Sequence, residues 1–200
     1  FRFVSLRGKA MAEASEKHPG GMAAALKLTP DAVERIATEF SEVWPVNYNC
    51  PGQVSCAGDA GQIDAFCEKI KAAGGRGVKL PVSGAFHTPY MKDVAPVLRE
   101  ALEKLPLQAP QLPVYANRTS ELYPADREGI ITLLSEQVMN PVRWEDTLRR
   151  MAQDGIDTFV EVGAGATLTG FVRRTLPEAT ALTVNDFASY EAVLKVLLGD

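Results

Sequence analysis

The sequence predicts an α/β protein in which a small unit of strands and helices is inserted into a larger parallel-sheet domain. Between residues 20 and 82, strand-like and amphipathic runs alternate in the order βαββαβ, with Gly, Pro and Asp at the turns. Beyond residue 83, apolar strand-like runs alternate with longer amphipathic runs. This second pattern is typical of a parallel sheet that is covered by helices on both faces.

Each predicted element rests on local residues. Phe3, Leu6, Ala10 and Met11 share one helical face, which predicts a helix already under way at residue 1, so we expect the parent protein to extend upstream. The small unit is predicted to have strands at 22–28, 43–50, 53–58 and 77–83 and helices at 30–40 and 59–73. That order is typical of a ferredoxin-like subdomain at 20–82. The remaining segments, 1–19 and 83–200, would form the large subdomain.

In the large subdomain, the pattern predicts the following further elements. Helices are expected at 88–105, 126–138 and 144–154, then from residue 167 and from residue 189, and strands at 112–117, 157–163 and 179–185. The strand at 157–163 is almost wholly apolar, as strands buried in parallel sheets are.

Composition and charge exclude several classes of partner. The 200 residues are 46% hydrophobic, enough for a buried core, and the net charge of −4 is spread along the chain. We therefore expect no nucleic-acid partner, and no membrane partner because no apolar run is long enough to span a bilayer. Cys50, Cys56 and Cys67 lack metal-binding spacing, so we expect reduced, buried thiols in a cytoplasmic protein and no metal site.

Of the two histidines, His87 occupies the more informative position. It follows PVSGAF, where an apolar strand ends and a helix begins, and functional groups concentrate at the carboxyl ends of strands in α/β proteins. From this position alone, a catalytic base, a helix N-cap and a buried hydrogen-bonded histidine all remain open. His18 precedes Pro-Gly-Gly, which predicts an exposed turn.

The segment around His87, SGAFHTPYMK, resembles the histidine motif of the malonyl and acyl transferases of fatty-acid and polyketide synthesis. Four further segments resemble the same family in the same order: LRGKAM (6–11), NYNCPGQV (47–54), NPVRW (140–144) and EVGAGATLTG (161–170). Together they extend over essentially the whole chain. The resemblance implies a hydrolase-like, parallel-sheet acyltransferase core, incomplete at its N-terminus, with the ferredoxin-like subdomain inserted.

The resemblance also implies a function. Malonyl would pass from malonyl-CoA to a serine, and then to the phosphopantetheine thiol of acyl carrier protein, without a cofactor. His87 would act as the base, and the backbone carbonyl of Gln137 would orient it, whereas Glu136 would be a solvated helix residue. The family's serine lies in a G-H-S-x-G elbow that this chain lacks, because Ser55 and Ser83 have other neighbours. We therefore expect the nucleophile upstream of Phe1, the chain alone to be inactive, and the complete enzyme to be a monomer.

Substrate-binding residues follow from the same resemblance. Arg7 matches the arginine that binds the malonyl carboxylate, a task that suits the two-pronged guanidinium. By itself, Arg7 could equally be an exposed helix cation. Met11, one turn further, and Asn49 are expected in the same substrate site. Phe86 would exclude branched extender groups, although core packing explains it equally well.

Three other functions remain open from the residues. EVGAGATL with Asp186 some twenty residues on imitates a dinucleotide-binding turn, although Leu168 replaces the third glycine. A second alternative is a non-catalytic fragment that binds carrier protein, and a third is an acyltransferase of polyketide synthesis. For the main function as well as for the alternatives that bind carrier protein, Arg76 and Lys79 are the candidate docking residues, because acyl carrier proteins are acidic.

Overall fold

The computed structural model describes residues 1–199, which divide into two compact units, one from Phe1 to Trp144 and one from Glu145 onward. The predicted boundaries at 19/20 and 82/83 both lie inside the first unit and remain predictions. The elements are α1 (Arg2–Lys17), β1 (Gly20–Leu26), α2 (Pro30–Ala37), β2 (Val43–Cys50), β3 (Gln53–Asp59), α3 (Ile63–Ala72), β4 (Arg76–Lys79), α4 (Val94–Glu103), α5 (Arg127–Glu136), α6 (Trp144–Gln153), β5 (Thr158–Val162), α7 (Thr167–Thr175), β6 (Thr180–Val184) and α8 (Phe187–Leu198).

The first unit contains a four-stranded sheet in the order β2-β3-β1-β4, with every neighbouring pair antiparallel. The element order βαββαβ is the predicted one. Local chemistry explains the start of α2, where the Thr29 hydroxyl accepts a hydrogen bond from the Ala32 amide and Pro30 occupies the first turn. Helices α2 and α3 pack on the sheet around a buried core that includes Ala23, Ala25, Val33, Ile36, Val54, Cys56, Ile63, Phe66 and Ile70.

A second apolar cluster joins α1 to α4. Met11 and Ala14 of α1 are buried against Met91, Val94 and Leu98. The face predicted for the first helix is the one that makes these contacts, since its Phe3 and Ala10 also pack here. Helix α1 is thereby fixed beside the segment that begins at His87.

The predicted single helix over 88–105 is wrong. A 3-10 turn occupies Pro89–Met91, and α4 begins only at Val94. The Thr88 hydroxyl caps the turn by accepting a hydrogen bond from the Tyr90 amide. The amide of Lys92 bonds the Pro89 carbonyl three residues back, so the spacing of an α-helix is not established there.

The predicted strand at 112–117 is wrong as well. Its backbone bonds to residues that follow it closely, from the Ala116 amide to the Glu121 carbonyl and from the Tyr123 amide to the Val114 carbonyl, both at 2.8 Å. Only an isolated bridge, Tyr115 to Leu122, has strand geometry. The apolar alternation of this segment therefore serves a local turn.

In the second unit, β5 and β6 pair in parallel with α7 between them, and α8 follows. The prediction that β5 is fully buried is wrong, because Val160 and Val162 are 37% and 78% exposed. Within the described residues only β6 pairs with β5, so one edge of the strand lacks a neighbour. No helix in residues 1–199 has both the length and the apolarity to span a membrane.

Candidate active site

His87 lies in a fixed loop between β4 and α4. Its backbone has a φ of 64°, in the left-handed region that non-glycine residues rarely occupy and that costs about 1–3 kcal/mol. Neighbouring bonds hold it there. The His87 amide donates to the Val138 carbonyl at 2.9 Å, and the buried Thr88 hydroxyl donates to the Ala85 carbonyl at 2.6 Å. The loop is therefore anchored on both sides of the histidine.

The imidazole of His87 faces two backbone carbonyls. Its Nδ1 lies 2.9 Å from the Gln137 oxygen and 3.1 Å from the Asn140 oxygen. Because a carbonyl can only accept, Nδ1 must carry the proton and donate to both. In the neutral ring, Nε2 is then the unprotonated nitrogen and the one that is able to take a proton.

The sequence pointed to the Gln137 carbonyl but not to that of Asn140. A backbone acceptor is independent of residue type, so no side-chain pattern reveals it. The nearest available clue was the Asn140-Pro141 pair, because the residue before a proline is held in an extended conformation.

Burial lowers the pKa of His87 below its ordinary value of 6.5. The hydrogen bond to the Gln137 carbonyl works in the opposite direction, the positive charge of Arg7 lowers the pKa again, and the Asn140 carbonyl raises it. The direction of the shift keeps the imidazole neutral near neutral pH. A neutral ring with a free Nε2 is the state that a general base requires.

Arg7 contributes to an open cavity of about 600 Å³. The cavity is lined by Arg7, Gly8, Met11, Ala12, Ser15, Glu16, Pro19, Ser83 and Phe86. Burial lowers the pKa of the guanidinium, yet arginine stays charged in proteins. Among the described residues, neither a carboxylate nor a hydrogen-bond acceptor contacts that half-buried cation. The guanidinium itself is therefore unpaired and able to bind an anion, and the Glu16 carboxylate is the one acidic group of residues 1–199 that lines the same cavity.

Glu136 is the last residue of α5 and stays about one-third exposed, as does Arg118, with which it forms an ion pair. The sequence did not indicate this pair, because Arg118 lies in a loop and nothing linked it to the end of α5. Glu136 makes no bond to the His87 ring, whose Nδ1 is taken by the carbonyls. The orienting acceptors of His87 are therefore backbone groups.

The remaining predicted site residues lie apart from this group. The Asn49 amide donates to the Ser55 hydroxyl at 3.3 Å, and neither residue lines the cavity of Arg7. Arg76 and Lys79 are exposed on the edge strand β4, where Lys79 pairs with Asp64 at 2.8 Å. The structure thus brings Arg7, Met11 and Phe86 together in one cavity, and His87, which follows Phe86 in sequence, is not among its lining residues.

The cysteines and the histidine His18 show no sign of catalytic use. Cys50 and Cys56 are buried and Cys67 is half-buried, all as free thiols, and burial raises the pKa of Cys56. Across residues 1–199, no group of three or more His, Cys, Asp or Glu residues could hold a metal ion. His18 is exposed at the end of α1, with its ring 5.8 Å from that of Tyr90.

In the glycine-rich turn after β5, backbone amides in the first turn of α7 are already hydrogen-bonded to a protein side chain. The Glu161 carboxylate accepts hydrogen bonds from the Leu168 and Thr169 amides and from the Thr169 hydroxyl. These are the positions where a dinucleotide-binding turn would present amides to phosphate. Asp186, the acid expected to bind a ribose, instead caps α8 through Ser189. Both observations disfavour the nucleotide-binding alternative.

Comparison with known proteins defines the class to which this fold and site belong. A model described as the acyl transferase domain matches residues 1–195, and the chain therefore belongs to this family. Malonyl CoA-acyl carrier protein transacylase of Haemophilus influenzae is 36% identical over 203 residues, covering 98% of this chain and 64% of that protein.

Solved structures of proteins similar to this chain share its fold. Malonyl CoA-acyl carrier protein transacylase of Clostridium perfringens superposes with a TM-score of 0.94 at 37% identity, covering 99% of this chain and 63% of that one. A second structure is a malonyl-transacylase in complex with a type II PKS acyl-carrier protein, with a TM-score of 0.92 at 34% identity and coverage of 100% and 64%. The chain thus spans about 64% of the length of its relatives.

Proposed function

We propose that this chain supplies the base and the carboxylate-binding residue for transfer of malonyl from malonyl-CoA to the phosphopantetheine thiol of acyl carrier protein. The observation that carries the proposal is the Nδ1 of His87, which is held by two carbonyls so that Nε2 stays free. The unpaired cation of Arg7 in the adjoining cavity is the second support.

The reaction would proceed through a seryl ester. Nε2 of His87 takes the proton of a serine hydroxyl while that oxygen attacks the malonyl thioester carbonyl. The tetrahedral intermediate collapses, the C–S bond breaks, and the imidazolium returns the proton to the coenzyme A thiolate. The second half-reaction reverses these roles, with the carrier thiol attacking the ester. The two carbonyls stabilise the imidazolium between these steps, a role that a carboxylate fills in a Ser-His-Asp triad.

A serine from outside these 200 residues would complete the site. Among the serines of this chain, Ser55 is buried in β3, and the Ser15 hydroxyl donates to the Met11 carbonyl at 2.9 Å. Ser83 is exposed and lines the cavity, but it is not in the elbow sequence that activates a family nucleophile. None of the three matches the G-H-S-x-G pattern.

Arg7 would select malonyl over acyl groups without a charge. Its guanidinium can bind the free malonyl carboxylate through two parallel hydrogen bonds, in a cavity where burial strengthens them. Met11 and Phe86, which line the same cavity, would limit the space beside the malonyl methylene. This arrangement favours a small, charged acyl group.

We further propose that residues 20–82 form a ferredoxin-like subdomain inserted in a larger subdomain of residues 1–19 and 83–200. The strand order β2-β3-β1-β4 and the two covering helices support this division. Arg76 and Lys79, exposed on β4, are the proposed contacts for the acidic carrier protein. Polyketide synthesis is the second candidate setting, favoured by the relative that was solved with a carrier protein of that pathway.

Intact-mass analysis after incubation with malonyl-CoA tests the proposal. The chain alone should gain no malonyl group. A chimera in which the N-terminal third of the H. influenzae relative precedes Phe1 should gain one, and His87→Ala should slow this burst by roughly 10²–10⁴-fold. His18→Ala is the matched control, because His18 is exposed and outside the cavity. A stable ester on a serine of the chain itself would refute the serine assignment. A folded chimera without a burst would refute the function.

A further inference from the structure

The segment that follows α5 wraps around the His87 ring and is tied to itself by side chains. The Asn140 side-chain amide donates to the Glu136 carbonyl at 2.8 Å, and the Gln137 side-chain amide donates to the Asn140 carbonyl at 3.0 Å. The Asn140 backbone amide also bonds the Gln137 carbonyl at 3.3 Å. Each carbonyl that holds His87 therefore takes a second bond from within this segment.

The local sequence explains this geometry. A 3-10 turn, Gln137–Met139, ends α5, and Pro141 then requires an extended conformation at the residue before it. Asn140 adopts that conformation, with φ of −124° and ψ of 150°. Without a further tie, an extended residue after a short turn could rotate its carbonyl away from the ring. The Asn140 side chain supplies the tie by folding back onto Glu136.

We infer that Asn140 is a positioning residue, whose side chain, together with that of Gln137, fixes the tautomer of the His87 base. Two acceptors converge on Nδ1, so the proton is held on Nδ1 and an unprotonated Nδ1 would face two carbonyl oxygens. If the Asn140 carbonyl moves, only one acceptor remains and the other tautomer becomes accessible. That tautomer places the proton on Nε2, where the ring can no longer accept one from serine. The inference rests on the proposed use of His87 as a base, but its test does not require activity.

Nitrogen NMR of the histidine rings tests this directly in the 200-residue chain. Only His18 and His87 contribute, so the exposed His18 serves as an internal reference. Above about pH 8, well above the lowered pKa of His87, the His87 ring should show a protonated Nδ1 and an unprotonated Nε2. In Asn140→Asp, which keeps the size but removes the donor to Glu136, and in Asn140→Ala, the two ring signals of His87 should move toward each other as the tautomers mix. The signals of His18 should not change.

Two further variants complete the experiment. Gln137→Ala removes the second tie and should mix the tautomers by itself, which keeps the test decisive if the Asn140 variants fail to fold. Gln62→Ala removes a side-chain amide that bonds Ser41 and the Glu42 backbone elsewhere in the first unit, and should leave His87 unchanged. A protonated Nε2 in the unsubstituted chain would overturn the inference. The inference would also be overturned if the folded Asn140 and Gln137 variants kept the proton of His87 on Nδ1 alone. Absence of transfer in the unsubstituted chimera, with Nδ1 protonated in the chain and the tautomers mixed in the variants, would instead count against the proposed function alone.

Discussion

At the scale of single residues, burial shifts the pKa values of His87 and Arg7 in directions that suit their proposed roles. Burial disfavours the charged form of each group and lowers both pKa values. For His87, the outcome is a neutral ring. Arginine cannot lose its charge at physiological pH, so the cost of burying Arg7 persists until an anion arrives. The same physical effect thus suits the proposed role of His87 as a base and the proposed role of Arg7 in binding a carboxylate.

The lowered pKa of His87 makes a prediction about stability and pH. In the unfolded chain His87 takes up a proton near pH 6.5, whereas the folded chain does so only at lower pH. Between these values the unfolded state binds more protons, so the free energy of unfolding falls as the pH falls through this window. The contribution of the neutral His87 ring to the free energy of unfolding is fully present above about pH 6.5. Urea unfolding of the chain and of His87→Gln from about pH 8 to about pH 5 should show a stability difference that changes across the window.

The control for this measurement is His18→Gln, which replaces the exposed histidine and should keep the pH dependence of the unsubstituted chain. If His87→Gln follows the same pH dependence as the unsubstituted chain, the His87 ring is not desolvated and the account of its neutral state is wrong.

At the scale of elements, the parts that the sequence predicted well are those specified by local side chains. Periodicity identified α1, and a threonine cap with a proline identified the start of α2. Turn residues separated β2 from β3, and the apolar pattern placed β5 and β6. The order βαββαβ in the first unit followed from these signals without any knowledge of which strands pair.

The errors arose where the choice of backbone hydrogen-bond partner decides the outcome. The apolar run at 112–117 forms a local turn because its backbone bonds to residues 121 and 123, a choice that alternation alone does not reveal. The break before Val94 depends on i to i+3 bonds within the Pro89–Met91 turn. Close packing around a single residue was also not predictable from the sequence. A Cβ on Gly58 would lie 1.9 Å from the Glu42 carbonyl oxygen, so this strand position admits only glycine.

The candidate site likewise contains some residues that the sequence identified and others that only the structure revealed. The resemblance supplied His87 and Arg7, which lie in the segments SGAFHTPYMK and LRGKAM, and the Gln137 carbonyl, which lies just before the segment NPVRW. The Asn140 carbonyl and the Arg118–Glu136 pair depend on how the loop after α5 closes around the ring, which no residue pattern encodes. The Asn49 amide bonds Ser55 outside the cavity of Arg7, and its place in the substrate site stays a prediction.

At the scale of the whole molecule, the net charge of −4 gives an acidic carrier protein little general attraction, so the proposed docking would depend on local cations. Changing both Arg76 and Lys79 to Glu should slow malonyl transfer to carrier protein, most strongly at low salt, and spare acylation by malonyl-CoA. Burst and transfer rates of the chimera measure the two half-reactions separately.

The matched control reverses Lys69 and Lys71, two other exposed cations of the first unit that lie on α3. It should leave both half-reactions near their original rates. Equal losses in the two half-reactions of the Arg76 and Lys79 variant would mean that β4 supports the fold and does not bind the carrier.

The choice between acyl donors tests the central claim most directly, since it asks whether Arg7 binds the malonyl carboxylate. In the chimera, Arg7→Ala removes hydrogen bonds to a charged group, each worth about 1.5–3 kcal/mol. Malonyl transfer should fall at least about 100-fold, whereas acetyl transfer should be unchanged or faster. Arg7→Lys should recover only part of the loss, because an ammonium lacks the two-pronged contact. Equal losses for malonyl and acetyl, together with a lower melting temperature, would contradict the account and make Arg7 a structural cation of α1.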